Sequence, residues 1–314
     1  MEKLLFWEPE TPFTLSADQL SDEWILDIKE TIPFKKLVVS WNSKTYENTT
    51  VEIWVRIRSQ QNWSKWFSYG KWTTDGNNTG SFSGQMDAYA KLDIDELSVL
   101  EGMGDAIQLK LMVSRRNMET PPPLIRKIYV SLKTDEIPEI TDVLDYENIG
   151  LDVPVKSQLA VEDIGNIICS PASLAMVMAY LGESLSTETV AKGTIDNGTS
   201  IYGNWSYNVA YAGERGFDAH ARYCDSFKEV YDLLKAGYPS IASIQLKDVN
   251  DLEGAPQAYP TGHLIVIKGF ECIDGEPWVL VNDPAVKEPS GVSRKYRYVQ
   301  LMNAWKNVIY VLQR

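Results

Sequence analysis

Val51, Ile53, Val55 and Ile57 alternate with Glu52, Trp54, Arg56 and Arg58, and later Ile107, Leu109, Leu111 and Val113 alternate with Gln108, Lys110, Met112 and Ser114. A period of two sends successive side chains to opposite faces of a pleated strand, so each segment buries one face only and belongs in an antiparallel sheet. Further strands are expected at 36–41, 66–72, 88–94 and 125–132, separated by turn-rich segments such as 74–80, Thr-Asp-Gly-Asn-Asn-Thr-Gly. Several short strands in succession with no helical period between them predict an all-β sandwich over 1–134.

The grammar changes after an acidic stretch. Between Lys133 and Lys156 there is no basic residue, while Asp135, Glu136, Glu139, Asp142, Asp145, Glu147 and Asp152 fall there with Pro138 and Pro154. That composition predicts a linker over 135–152 and a second domain over 153–314, and two domains also suit a chain of 314 residues. In the second half, 171–181 (PASLAMVMAYL) has helix formers throughout, Pro171 near the first helical position and Gly182 as a stop. It is apolar on every face and therefore predicts a buried helix. Ser226-Phe227-Lys228-Glu229 has the spacing of a capping box ahead of Phe227, Val230, Leu233 and Leu234, with Gly237 at the end. Strands follow at 240–245, 263–270, 278–282, 294–299 and 307–312. The order, helices and then an antiparallel sheet, is that of an α+β domain.

Composition narrows the chemistry. The net charge of −13 gives no basic footprint for nucleic acid. Three cysteines, Cys169, Cys224 and Cys272, are too scattered for a disulfide scaffold, a zinc ribbon or a redox dithiol, and two histidines, His220 and His263, leave most metal-enzyme classes without ligands. No metal and no cofactor is therefore expected. The apolar run near Met1 stops at Glu8, and the densest later run, 174–181, falls short of the ~18 residues a bilayer span needs. Neither an export signal nor a membrane span is expected in the chain as given.

With so few candidates, each Cys and His can be weighed separately. Cys169 precedes Ser170-Pro171, which puts its sulfur at the amino end of the buried helix, where free backbone N–H groups and the helix dipole favour a thiolate. A small buried hydrophobe is the competing reading of a Cys beside an apolar helix. His263 opens the strand Leu264-Ile265-Val266-Ile267, and Asp274-Gly275 is a favoured two-residue hairpin turn leading back through 278–282 to Asp283. Counting back from that turn sets His263 opposite 284–286, so Asp283 lies within a residue or two of it, where a carboxylate can orient an imidazole. A turn-forming Asp-Pro and an edge-of-core imidazole are the plainer readings of each residue alone. His220 reads as a structural strand residue, and Cys224 and Cys272 as structural or surface thiols. Gln158, ahead of the helix, carries an amide that can donate to an oxyanion beside the Cys169 N–H, although a Gln in a loop is by itself uninformative.

Val153-Pro154-Val155-Lys156-Ser157-Gln158, Ile168-Cys169-Ser170-Pro171-Ala172-Ser173-Leu174-Ala175-Met176-Val177-Met178, Gly254-Ala255-Pro256, Gly262-His263-Leu264-Ile265-Val266-Ile267-Lys268-Gly269-Phe270 and Val281-Asn282-Asp283-Pro284-Ala285 together resemble papain-fold proteins related to bacterial bacteriocin-processing, or double-glycine leader, peptidases. The resemblance spans about 150–314. It implies a papain-like cysteine peptidase domain acting on a peptide or protein, with Cys169 as nucleophile, His263 as general base and acid, Asp283 as orienter and Gln158 as oxyanion donor. Gly203-Asn204-Trp205-Ser206-Tyr207-Asn208 also resembles these proteins, without an assigned role. Val39-Ser40-Trp41-Asn42 and Trp63-Ser64-Lys65-Trp66 resemble the β-domain of exported bacterial relatives. Ile168 stands where an aromatic residue commonly precedes the nucleophile in that family.

Trp7, Trp24, Trp41, Trp54, Trp63, Trp66 and Trp72 crowd the first domain. Exposed, they would be platforms for a glycan or protein ligand; inward, they are core, and only Trp54 alternates onto the polar face. Two other readings of the whole chain stay open: an acyltransferase or transglutaminase-like enzyme using the same thiol, and a non-catalytic glycan- or protein-binding relative. The segment 247–261, rich in acids, Pro and Gly, is expected as a flap beside His263.

Overall fold

The computed structural model describes residues 2–74, 79–136, 140 and 143–314. Asp75, Gly76, Asn77 and Asn78 of the expected turn, and Pro138, Glu139 and Asp142 of the acidic stretch, lie outside them. The chain divides into two compact units, one of Met1–Glu136 with Gly193–Arg222 and one of Ile137–Lys192 with Tyr223–Arg314.

The first unit holds two antiparallel sheets. In one, Thr49–Ser59 and Gly104–Arg115 pair along their full length, Val55 opposite Leu109 and Ile53 opposite Leu111, with Ser21–Ile25, Lys29–Phe34, Asn62–Trp63 and Phe67–Trp72 around them. The apolar set of each long strand is buried, as alternation predicts. The other sheet runs Leu4–Trp7, Leu124–Lys133, Lys36–Lys44, Glu96–Val99, Ala90–Asp93 and Gln85–Met86, with Phe13–Thr14 beside Leu124–Lys133. The strands that periodicity does not reveal are the short ones, since two to six residues hold too few alternations to register.

Lys36–Lys44 is buried on both faces because the helix Trp205–Glu214 and the strand Asp218–Tyr223 cover it. Asn42 donates to the Ala219 carbonyl and accepts from its N–H, both at 3.1 Å, and the Ser40 hydroxyl accepts from Ala221 N–H at 3.2 Å. Trp41 and Trp72 are fully buried and meet the Tyr207 ring edge-on at 6.2 and 5.3 Å. Trp54, Trp63 and Trp66 lie half-buried, their faces taken up by cations: Lys110 lies 4.7 Å from Trp54, and Arg56 lies 4.8 and 4.7 Å from Trp63 and Trp66.

In the second unit every recorded strand pairing is antiparallel. Trp305–Gln313, Ser240–Leu246, Tyr259–Ile273, Glu276–Asn282 and Ser293–Arg297 follow one another across the sheet, and Ile149–Gly150 pairs with Gly269 and Phe270. Val143 joins the core of this unit, with Tyr146, Ile149 and Leu151 packed on it, so the carboxyl-terminal part of the acidic stretch is folded here. Asp274 and Gly275 have φ of 52° and 79°, the left-handed pair that the two-residue hairpin turn requires.

The helix Cys169–Tyr180 is buried from Ser170 to Met178, and Gly182, at φ 94°, ends it with its N–H on the Ala179 carbonyl. Phe227–Lys235 buries Phe227, Val230, Tyr231 and Leu234, with Tyr231 taking the place expected for Leu233. Its capping box forms differently from the textual spacing. The Ser226 hydroxyl makes no cap bond, and the Glu229 carboxylate reaches the Asp225 N–H at 2.6 Å. The strand expected over 294–299 stops at Arg297, and Tyr298–Ala304 is a short helix that buries Tyr298, Leu301 and Ala304. No helix among the described residues is long and apolar enough to cross a membrane.

Candidate active site

Cys169 is the first residue of its helix and is only partly buried, so its thiol sits at the positive end of the helix. The helix is tied to the central strand one turn further on, where the Ser173 hydroxyl donates to the Leu264 carbonyl at 3.0 Å, and Ser170 and Tyr310 share a hydroxyl bond at 3.1 Å. Leu264 follows His263, so that tie fixes the strand carrying the imidazole relative to the helix carrying the thiol.

His263 lies in the 15-residue strand Tyr259–Ile273, paired with Ile244. A bulge at Lys268 shifts the hairpin register by one, giving Val266 opposite Asn282, so that the strand carrying Asp283 ends beside His263. The two side chains meet at 2.8 Å, His263 Nε2 to Asp283 Oδ1, and both are almost wholly buried, at 3% and 0% exposure. With Nε2 committed to Asp283, Nδ1 is the ring nitrogen left to act on the Cys169 thiol, whose pKa His263 lowers.

The electrostatics follow from this chain of contacts. Burial opposes the imidazolium, but the Asp283 carboxylate and the Cys169 sulfur outweigh it and raise the His263 pKa to about 10. Burial likewise opposes the Cys169 thiolate, and the hydrogen bond and charge of His263, with the Leu264 and Ser170 N–H groups, hold the thiol below its ordinary value. Asp283, despite burial, is held at about 2 by His263, the Tyr296 hydroxyl and the Ala285 N–H. His263 is thus set as the imidazolium at neutral pH, and its charge biases the Cys169 thiol toward the thiolate.

Gln158 is buried, and its backbone N–H bonds the Pro284 carbonyl at 3.0 Å, next to Asp283. Its side-chain amide donates at 2.7 Å to the carbonyl of Gly165, in the turn Gly165–Ile167 that leads into Cys169, which leaves one amide hydrogen for another acceptor. His263 and Asp283 are therefore in contact, His263 acts on the pKa of Cys169, and Gln158 is anchored beside Asp283 at Pro284 and at Gly165 in the turn before Cys169.

His220 lies in the first unit, its ring tilted 31° against Tyr129 at 4.5 Å between ring centroids, and burial lowers its pKa to about 3. Cys224 is buried and Cys272 partly exposed, and neither forms a disulfide. Among the described residues no three His, Cys, Asp or Glu side chains are gathered as a metal-binding group. The 247–261 segment holds a short turn, Val249–Asp251, with Leu252 buried, and runs straight into the His263 strand at Tyr259. Sequence reasoning missed Tyr259 and Tyr296, whose hydroxyls both reach Asp283, because nothing in the spacing of a tyrosine marks its partner.

Residues 150–311 match the family model described as Peptidase C39 like family. The chain belongs to that family. Residues 23–132 match a second model, the Peptidase C39 N-terminal domain. Membership of the Peptidase C39 like family bears out the resemblance carried by the Ile168-Cys169-Ser170-Pro171 and Gly262-His263 segments, and with it the coarse reading of a mixed helix and sheet peptidase-like region behind a sheet-rich one. Three solved structures are similar to about half of the chain. A C39-like peptidase from Bacillus anthracis is 18% identical over 54% of this chain and 98% of its own, with a TM-score of 0.41. A double glycine motif protease from an AMS/PCAT transporter, in complex with a leader peptide, is 21% identical over 52% and 96%, with a TM-score of 0.36. The peptidase domain of Streptococcus ComA, an ABC transporter, is 18% identical over 51% and 97%, also at 0.36. No curated protein matches the chain.

Proposed function

We propose that this member of the family is a cysteine peptidase, with a papain-like domain over 153–314 that follows a β-sandwich domain over 1–134. The observation that carries the proposal is the His263–Asp283 pair at 2.8 Å, with His263 lowering the pKa of Cys169 at the start of a buried helix. The Cys169 thiolate adds to the carbonyl carbon of a peptide bond, while the Cys169 N–H and the free amide hydrogen of Gln158 receive the developing oxyanion. The tetrahedral species collapses as the His263 imidazolium passes its proton to the leaving amine, giving an acyl-thioester on Cys169. Neutral His263 then takes a proton from water, whose oxygen displaces the thiolate and releases the acid. Asp283 holds the imidazole in the required tautomer throughout.

Selective alkylation tests this reading without a known substrate. At mildly acidic pH an ordinary thiol, with a pKa of about 8.5, is almost wholly protonated and slow towards iodoacetamide. Cys169 is expected to be modified at least about tenfold faster than Cys224 and Cys272 there, as read by peptide mass mapping. Equal or faster modification of Cys224 or Cys272 overturns it.

A further inference from the structure

We infer that Tyr259 is a positioning residue of this site, its ring serving as the platform on which the His263 imidazolium is held. The inference rests on the Cys169–His263 reading above and deepens it. The Tyr259 and His263 rings lie 3.8 Å apart between centroids and 11° from parallel, a full face-to-face stack. The same side chain extends past the imidazole, and its hydroxyl donates to the Asp283 carboxylate, 3.3 Å from Oδ1 and 3.1 Å from Oδ2. One residue therefore touches both members of the His263–Asp283 pair.

The arrangement divides the carboxylate. Oδ1 takes His263 Nε2 and the Ala285 N–H at 3.0 Å, while Oδ2 takes the Tyr296 hydroxyl at 2.6 Å and the nearer Tyr259 contact. Asp283 thus keeps three partners if the Tyr259 hydroxyl is removed, whereas His263 has no second ring stacked on it among the described contacts. The ring, more than the hydroxyl, is what Tyr259 contributes. A flat aromatic face over a desolvated cation is attractive, and it also blocks the swing of the imidazole about its Cβ–Cγ bond that would turn Nδ1 away from Cys169.

The titratable groups facing His263 are Cys169 from the helix, Asp283 from the end of the hairpin and Tyr259 from its own strand. Tyr296 and Arg294 act one step further out, through Asp283 and the two tyrosine hydroxyls.

The test is the pH dependence of Cys169 alkylation in the full chain, beside the nitrogen NMR signals of histidine, which two histidines make assignable. Tyr259→Phe keeps the ring and is expected to retain the wild-type midpoint and the imidazolium signal of His263. Tyr259→Leu removes the ring and is expected to raise the midpoint of thiolate formation by about one pH unit, an approximately tenfold loss of reactivity at mildly acidic pH. A purely structural role would scale labelling with the folded fraction at every pH and leave the midpoint in place. If Tyr259→Leu does not fold, Tyr259→Met, which fills the space without a ring face, takes its role. A wild-type midpoint in the folded Leu or Met variant overturns the inference while leaving the Cys169–His263 reading intact. A wild-type chain whose Cys169 shows no thiolate reactivity in acid overturns that reading, and this inference with it.

Discussion

Asp283→Ala is expected to lower peptide cleavage by about 10²–10⁴-fold and to destabilise the second unit by about 3–5 kcal/mol, because the substitution strips a buried cation of its counter-ion and orienter together. Four donors converge on this carboxylate: His263 Nε2 at 2.8 Å, the Ala285 N–H at 3.0 Å, the Tyr296 hydroxyl at 2.6 Å and the Tyr259 hydroxyl at 3.1 Å. Alanine leaves all four without their acceptor where the His263 and Asp283 side chains are 3% and 0% exposed. Asp283→Asn keeps the shape, and the two hydroxyls can turn to accept from its amide, so most of the stability stays while the imidazolium loses its counter-charge. The pH dependence separates the two effects. Asp283 is lowered from 3.8 to about 2, so its contribution is present above 3.8 and lost as pH falls through about 2. His263 is raised from 6.5 to about 10, so its contribution is present below 6.5 and lost as pH rises through about 10. Denaturant unfolding should therefore show the widest gap between wild type and Asp283→Ala from about pH 4 to 6.5, closing on either side. Wild-type cleavage by a folded Asp283→Ala chain would remove Asp283 from the mechanism.

How much of this was legible in the sequence depends on how local each signal is. The Thr49–Ser59 and Gly104–Arg115 strands announce themselves because one buried face imposes strict alternation over many residues. The His263–Asp283 contact was legible because a single two-residue turn sets the register, and the Lys268 bulge moves it by only one place. The Tyr259 stack was not, since it joins residues four apart across an irregularity in the strand, where the pairing register shifts between Leu246–Tyr259 and Ile244–His263 and Gly262 has φ of 108°, and no spacing reveals that. Nor was the helix Trp205–Glu214, whose residues from Ser206 to Glu214 are all buried and so show no amphipathic stripe. The Gly203–Asn208 segment, which sequence resemblance left without a role, caps and anchors that helix within the first unit: Asn204 accepts from the Tyr207 N–H at 3.1 Å, Ser206 donates to the Val39 carbonyl at 2.6 Å and the Tyr207 hydroxyl to the Lys71 carbonyl at 2.9 Å. The last two bonds join residues more than a hundred positions apart, and nothing in the local pattern of either partner points to the other.

The same non-local chemistry predicts that Asp196→Ala costs the first unit about 3–5 kcal/mol, although Asp196 is remote from Cys169 in function and ordinary in sequence. Its carboxylate is fully buried and accepts five bonds. Oδ1 receives the Ser81 N–H at 2.8 Å and the Gly198 N–H at 3.0 Å; Oδ2 receives the Ser81 hydroxyl at 2.5 Å, the Thr199 hydroxyl at 2.8 Å and the Asn204 amide at 2.9 Å. The backbones it joins are in contact, since a Cβ on Gly198 would lie 2.0 Å from the Ser81 carbonyl oxygen. Asp196→Asn should cost far less, about 1–2 kcal/mol. Its oxygen can keep both backbone N–H groups, and the Ser81 and Thr199 hydroxyls can turn to accept from its amide. Only Asn204 is then opposed, donor to donor, and it cannot flip because its oxygen caps the helix through the Tyr207 N–H. Denaturant unfolding followed by the fluorescence of Trp41 and Trp72, both buried in this unit, measures the difference. Equal stability of the alanine and wild-type chains would mean that this carboxylate does not hold Gly193–Arg222 to the sheets.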